Sequence, residues 1–480
     1  MRKIVFLLGL PVAALLAGVA RRPAPLAVSY DLVITHVSVV DVASGHLRPE
    51  QSVAVAGGKI VRVGPAAQAH YAARQTVDGT GRFLLPGLWD MHVHFRGGDT
   101  LAVANKKSLA LYLAHGITTV RDAGGDLTPF IFQWRQEEAA GTLAGPRIFT
   151  SGPKIDGPGA TWPGSLEVAT PAQVSRALDS LQKLRVDYVK IYDSKISGDA
   201  YLATISQAEK RGLKTTGHMP YSVTLGAAVA QGLDATEHLY YVLKACSGKE
   251  DSLTALVRNS LSTSKPLGLF ALLPAVYDTY SPAAAQRIFR LMARHHTAAV
   301  PTLAIGHTLA GLAESDHAHD TLLAYIDPKI QRTYAKRLAS ARQQPAAGRA
   351  FTQKLEARFS SLVPQMQAAG VTILAGSDSG PFNSFTYPGA SLHDELVLLV
   401  RAGLTPAQAL RAATLSGATF MGVAGRSGSI AEGKDADLVL LTANPLADIR
   451  NVRHMAAVVS RGKLYARADL NRLLQTIKNK

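Results

Sequence analysis

Cysteine is almost absent: Cys246 is the only one in 480 residues. No intrachain disulfide can form, so an oxidising compartment would impose nothing on the fold. A four-thiolate metal site is excluded too, and any bound metal must be held by His, Asp, Glu or Lys. Long apolar runs are equally scarce, and beyond the first twenty residues no stretch suits a bilayer span. Charged residues make up only 18% against 47% hydrophobic ones, which excludes a disordered chain and leaves material for a large core. Basic residues outnumber acidic ones, 51 to 35, for a formal net charge of +16. They are spread along the chain and never interleaved with aromatics, so they give no sign of a nucleic-acid partner. The excess leaves attraction to anionic surfaces or acidic substrates as its remaining use.

What is present begins at the first residues. Arg2 and Lys3 precede an apolar run from Ile4 to Ala17, and Gly18-Val19-Ala20 offers small residues where a signal peptidase cuts. Residues 1–20 are expected to be a signal peptide, with an uncleaved anchor as the alternative. The mature protein is then exported, periplasmic or secreted, without stable membrane insertion after cleavage. The cleavage region has no cysteine, which argues against a lipoprotein.

Residues 21–85 and 425–480 are rich in short β-branched runs. Examples are Asp31-Leu-Val-Ile-Thr and Ala436-Asp-Leu-Val-Leu-Leu441, and Gly57-Gly58 marks a hairpin turn. These two pieces are expected to pair into one small β-sandwich domain. Between them, residues 86–424 alternate short apolar strands with helices. One helix runs from Pro171 to Leu184 behind the N-cap Thr170, and another from Pro406 behind Thr405. The expected fold class is α/β, a (β/α)8 TIM barrel, although an open doubly wound sheet gives the same pattern. Strands are expected to end near His94, Val120, Ser151, Tyr192, His218, His238, Leu303 and Asp378. The long connection 306–367 reads as helices that could cover part of the barrel mouth.

Several of those strand ends carry chemistry. His92 and His94 alternate on one strand, so their imidazoles point to one side and make a start for a zinc-type site. Lys190 lies within the apolar strand Tyr188-Val-Lys-Ile-Tyr192, where an ammonium would be costly to bury. It could snorkel to the rim, pair with a carboxylate, or stand as a neutral amine that takes up CO2 to form a carbamate. His218, His238 and Asp378 each close a further strand. In a parallel barrel all of them would stand at the C-terminal rim. Asp316-His317-Ala-His319-Asp320 also holds alternate histidines, but no apolar strand precedes it, and it reads as a solvated decoy.

In this arrangement the chain resembles the amidohydrolase superfamily, in its imidazolonepropionase-like and prolidase-like branch related to Xaa-Pro dipeptidases. The resemblance rests on Pro86-Gly-Leu-Trp-Asp-Met-His92-Val-His94, Gly116-Ile-Thr-Thr-Val-Arg-Asp-Ala-Gly124, Gly376-Ser-Asp378-Ser-Gly and Gly428-Ser-Ile-Ala-Glu-Gly-Lys-Asp-Ala-Asp-Leu-Val439. It implies two divalent metal ions, zinc by default, with cobalt or manganese able to bind a similar site. His92, His94 and Asp378 would hold the more buried metal and His218 and His238 the more exposed one. A carboxylated Lys190 would bridge them together with a hydroxide. Asp378 would serve as general base and then acid. The implied activity is hydrolysis of an amide C–N bond in dipeptides or N-acyl amino acids. Cyclic amides or lactones are the alternative substrates, and a non-catalytic scaffold on the same fold is a second alternative.

One departure bears on the substrate. Relatives often carry Gly-Gly-His after the third strand, whereas this chain has Pro153-Lys-Ile-Asp-Gly-Pro-Gly-Ala-Thr-Trp162. Tyr221 and Tyr240, after the His218 and His238 strands, are either substrate-orienting groups or packed side chains. The expected partner is a small-molecule or short-peptide substrate, no nucleic acid is expected, and a homo-oligomer stays open.

Overall fold

The computed structural model describes Met1 and residues 30–68 and 71–479; the expected signal segment 1–20, apart from Met1, lies outside them. The architecture is α/β, with one mixed sheet built from both ends of the chain and parallel strands between.

The mixed sheet begins with Tyr30–Asp41, whose buried residues change parity along its length. Leu32 and Ile34 face the small core at the start, Val37 and Val39 further on. The pairing with His46–Ala56 shifts register between Ile34 and Val37, where His36 takes a left-handed φ of 51°. This bulge inserts one residue, which lets even and then odd positions reach the same face. On its other edge the strand pairs in parallel with Ala73–Asp78 and then with Phe83–Pro86. Phe83–Pro86 in turn pairs with Leu438–Leu441 from the far end of the sequence. Alternation along that last strand joins two cores: Leu438 and Leu440 enter the small one, Val439 and Leu441 the large one.

The parallel strands form two sheets among the described residues, one of Leu88–Val93, Ile117–Asp122 and Arg147–Thr150. The other contains Val189–Ile191, Thr215–Gly217, Ala235–Glu237 and Ala298–Val300. Residues near 372–379 carry no regular strand, yet they bond to both sheets. Ala299 donates to the Thr372 carbonyl at 2.9 Å, and Met91 to that of Ala375 at 2.9 Å.

Local signals explain several elements. Thr170 accepts from the Gln173 amide while the Gln173 side chain returns to the cap, which starts helix Pro171–Leu184. Thr405 and Gln408 do the same for Pro406–Ala412. The seventh parallel strand stops at Val300, short of the expected Leu303, which instead opens helix Leu303–Ala310. Thr302 in between has a left-handed φ of 50°, which turns the chain out of the strand. A closing helix, Arg467–Ile477, had no sequence expectation; it lays Ile477 against Ala110 and Leu111. No described helix is long and apolar enough to cross a membrane.

Candidate metal centre

His92 and His94 project from the end of Leu88–Val93 with Nε2 atoms 3.2 Å apart. Asp378 comes from the segment that bonds beside them, its amide donating to the His92 carbonyl at 2.8 Å. Its carboxylate stands 3.4 Å from His92 Nε2 and 3.1 Å from His94 Nε2. His218 and His238 follow Thr215–Gly217 and Ala235–Glu237, with Nε2 atoms 3.1 Å apart. His92, His238 and Asp378 each offer a ligand atom within 4.8 Å of the others. His238 and Asp378 both have left-handed φ values, 61° and 55°. A left-handed residue breaks strand alternation, so Glu237 and His238, though adjacent, both face the centre.

Neighbours fix which imidazole nitrogen faces inward. His218 Nδ1 donates to Asp193 at 3.1 Å, and Tyr241 holds the other Asp193 oxygen at 2.7 Å. The Thr302 hydroxyl donates to the Pro301 carbonyl at 2.8 Å and so accepts from His238 Nδ1 at 2.6 Å. His94 Nδ1 faces the Gly124 carbonyl at 3.4 Å. Each Nδ1 therefore carries the proton and each Nε2 lone pair points at the centre. Burial pushes His92 down to about 4 against the pull of Asp378, and drives His94, His218 and His238 well below their ordinary range. At neutral pH these are neutral imidazoles whose facing lone pairs repel unless a cation stands among them. The donor set fits divalent metal.

Lys190 is completely buried and its amine contacts the Glu237 carboxylate. Burial, with Lys154 and Arg121 nearby, pushes that amine well below its ordinary range. Glu237 also receives Arg121 at 2.7 Å and Thr216 at 2.9 Å. The Lys190 amine thus faces Glu237, yet neither the amine nor Glu237 Oε2 has a hydrogen-bond partner among the described residues.

Beside these groups lies a cavity of about 430 Å³, lined among others by His218, His238, Asp378, Tyr240, Arg337 and Glu356. Tyr240 thus reaches the cavity, whereas Tyr221 does not line it. Tyr221 is packed, its hydroxyl donating to the Tyr240 carbonyl at 3.2 Å, in keeping with the packed alternative of the sequence reading. Lys154, on the stretch that replaces Gly-Gly-His, is buried and lies 4.9 Å from the Trp162 ring; burial, then Arg96, pushes it down to about 7. In the expected decoy Asp316, Ala318 and His319 are exposed, while His317 stacks on Phe385 at 3.7 Å and pairs with Asp320 at 2.9 Å.

Sequence reasoning passed over Glu237, Asp193, Thr302, Arg121 and Glu356. Glu237 and Asp193 had a visible signal, since each abuts a strand end already singled out. Thr302 and Glu356 had none, because their roles depend on which distant loop they meet.

The amidohydrolase family profile matches residues 83–465. Adenine deaminase 3 of Rhizobium meliloti (strain 1021) is 37% identical over 105 residues, 22% of this chain and 16% of its own length. This chain therefore spans only a small part of that relative. A solved Xaa-Pro dipeptidase with methionine bound in its active site superposes with a TM-score of 0.66 at 21% identity, covering 91% of this chain and 99% of that one. Bottromycin amidohydrolase superposes with a TM-score of 0.69 at 23% identity, covering 93% and 90%. Both likenesses are likenesses of fold. The profile itself spans most of the sequence, and on that ground the chain belongs to the amidohydrolase family.

Proposed function

We propose that the chain is a metal-dependent amidohydrolase that cleaves the amide C–N bond of dipeptides or N-acyl amino acids. The observation that carries this reading is the set of inward Nε2 lone pairs on His94, His218 and His238, locked by their Nδ1 partners around Asp378. His92, His94 and Asp378 would hold one divalent ion and His218 and His238 a second, zinc being the first choice for this donor set. Such ions, when bound, polarise a carbonyl and lower the pKa of water.

The chain's own residues do the rest. Asp378 lines the cavity and is placed to take the proton of the attacking water and deliver it to the leaving nitrogen. Asn383 donates to its carboxylate at 2.8 Å and so fixes its direction. The buried Lys190 amine is the group that would take up CO2 as a bridging carbamate, while Arg121 neutralises Glu237 beside it. Arg337 supplies positive charge for a substrate carboxylate. The same reading takes residues 86–424 as a closed (β/α)8 barrel, and 21–85 with 425–480 as one β-sandwich. Main-chain bonds from residues near 372–379 to both neighbouring sheets support the first, and the pairing of Phe83–Pro86 with Leu438–Leu441 supports the second. Residues 1–20 would direct export to the periplasm or the medium.

Metal analysis and a substrate screen test the proposal together. Purified protein is expected to hold about two divalent ions per chain, under shared-ligand coordination. Lys190→Ala should lower metal content and turnover, with partial rescue by small carboxylic acids. Full metal and full turnover in Lys190→Ala would overturn the carbamate. A screen of dipeptides and N-acyl amino acids against their C-terminal amides should favour the free acids. Equal rates for acid and amide would move the reading to cyclic amides or lactones.

A further inference from the structure

The cavity next to the metal-ligand residues is electrically lopsided. One wall is basic: Arg337 lines it, and its charge reaches Arg96, which is held over the Trp162 ring at 4.4 Å beside the cavity. Elsewhere in the same cavity stands Glu356, on helix Ala346–Ala368. Among the described residues no hydrogen bond or ion pair reaches its carboxylate, and no positive charge acts on it; burial pushes it up to about 7. A carboxylate partly withdrawn from water without a counter-charge is destabilised, so such a group favours a cationic partner that arrives from outside.

The space around Glu356 is shaped for it. Gly306, on the facing helix Leu303–Ala310, lies so close that a methyl group there would overlap the Glu356 carboxylate. The glycine leaves the room that this carboxylate occupies. The neighbouring lining is apolar and aromatic: Tyr240 packs on Phe359 with ring centroids 5.0 Å apart, and Leu309, Leu269 and Phe270 complete the patch. Phe270 is 76% exposed, a large apolar side chain held at the mouth rather than in a core. Aromatic faces beside a carboxylate suit an ammonium group, and the apolar patch suits a hydrocarbon side chain next to it.

We propose that Glu356 forms a subsite for the free α-ammonium group of the substrate, so that the substrates are dipeptides with an unblocked amino terminus and an apolar first residue. An N-acyl amino acid lacks that cation and would leave Glu356 unpaired. This narrows the substrate class of the preceding section and rests on that reading for the reaction, though not for the binding. Among the described residues no cation acts on Glu356 while the Arg337 guanidinium lines the same cavity, so a zwitterion can lie with its charges matched at both ends.

The probes are leucylglycine and N-acetyl-leucylglycine. Calorimetry on the unaltered protein with hydrolysis-resistant phosphinic isosteres of the two probes reads binding, and kcat/KM with the probes themselves reads hydrolysis. The active enzyme is expected to prefer the free amine by about 10–100-fold, the range of one charge-assisted hydrogen bond. Glu356→Gln should abolish that preference through KM, with kcat retained and N-acetyl-leucylglycine handled as before. Unchanged handling of the acetylated probe also shows that the variant is folded, and Glu356→Asp should keep part of the preference. Equal binding of both isosteres, or an equal loss for both in Glu356→Gln, overturns the subsite. Amine-selective binding that Glu356→Gln removes, without hydrolysis of either probe, keeps the subsite and overturns the dipeptidase reading. Hydrolysis of both probes at equal kcat/KM keeps the reading and overturns the subsite.

Discussion

The imidazoles of His94, His218 and His238 each depend on a neighbour that holds the other nitrogen, and for His238 that neighbour is a single hydroxyl. Thr302 receives the Nδ1 proton at 2.6 Å only because its own proton is committed to the Pro301 carbonyl. Thr302→Val keeps the shape and removes the acceptor, freeing the His238 ring to rotate or change tautomer. Metal affinity, read by competition with a chelator, is expected to fall about 10–100-fold, the usual effect of losing such a partner. Thr302→Ser should restore it, because the hydroxyl returns. A valine variant with unchanged affinity would show that packing alone orients the ring. At this scale the ligand-type residues could be read from the sequence, since His92-Val-His94 and Asp378 end apolar runs. Their partners could not, because Thr302 lies 64 positions from His238 and nothing local ties the two together.

Strands that carry these groups must lie very close where the ligands converge. Thr215–Gly217 pairs in parallel with Val189–Ile191, matching Gly217 to Ile191 and Thr216 to Lys190. Gly217 has a φ of 141°, and a methyl group on it would overlap the Ile191 carbonyl oxygen. Gly217→Ala therefore combines a disfavoured backbone with a clash against backbone that cannot move aside. The destabilisation is expected to exceed ~1 kcal/mol in chemical denaturation, with metal content falling because His218 and Lys190 ride on these two strands. An alanine variant of native stability and full metal content would contradict it. Element positions such as Pro171–Leu184 were legible because their signals are local: a capping threonine, a proline at the first turn, an apolar stripe. The segment near 372–379 and the left-handed corners at His238, Thr302 and Asp378 were not, since neighbouring strands impose them.

Across the whole molecule the two chain ends depend on each other. Phe83–Pro86 has Tyr30–Asp41 on one edge and Leu438–Leu441 on the other, and the Ile60 amide donates to the Lys434 carbonyl at 2.8 Å. Removing the residues after Gly425 would expose the Phe83–Pro86 edge and uncover Leu32, Ile34, Val53 and Leu84 on their core face. Such a truncation is expected to be insoluble, and a soluble, active product would show that the ends fold independently. The sequence by itself determined the alternation of strands and helices, the strand-rich ends, and the types of residue that close the parallel strands. Those features are written in local patterns of polarity and turn chemistry, which survive without knowledge of neighbours. Only the tertiary structure decided that Lys190 meets Glu237, that Tyr221 is packed while Tyr240 reaches the cavity, and that Glu356 faces it unpaired. A buried charge is defined by what surrounds it, and in this chain the surroundings come from segments far apart in the sequence.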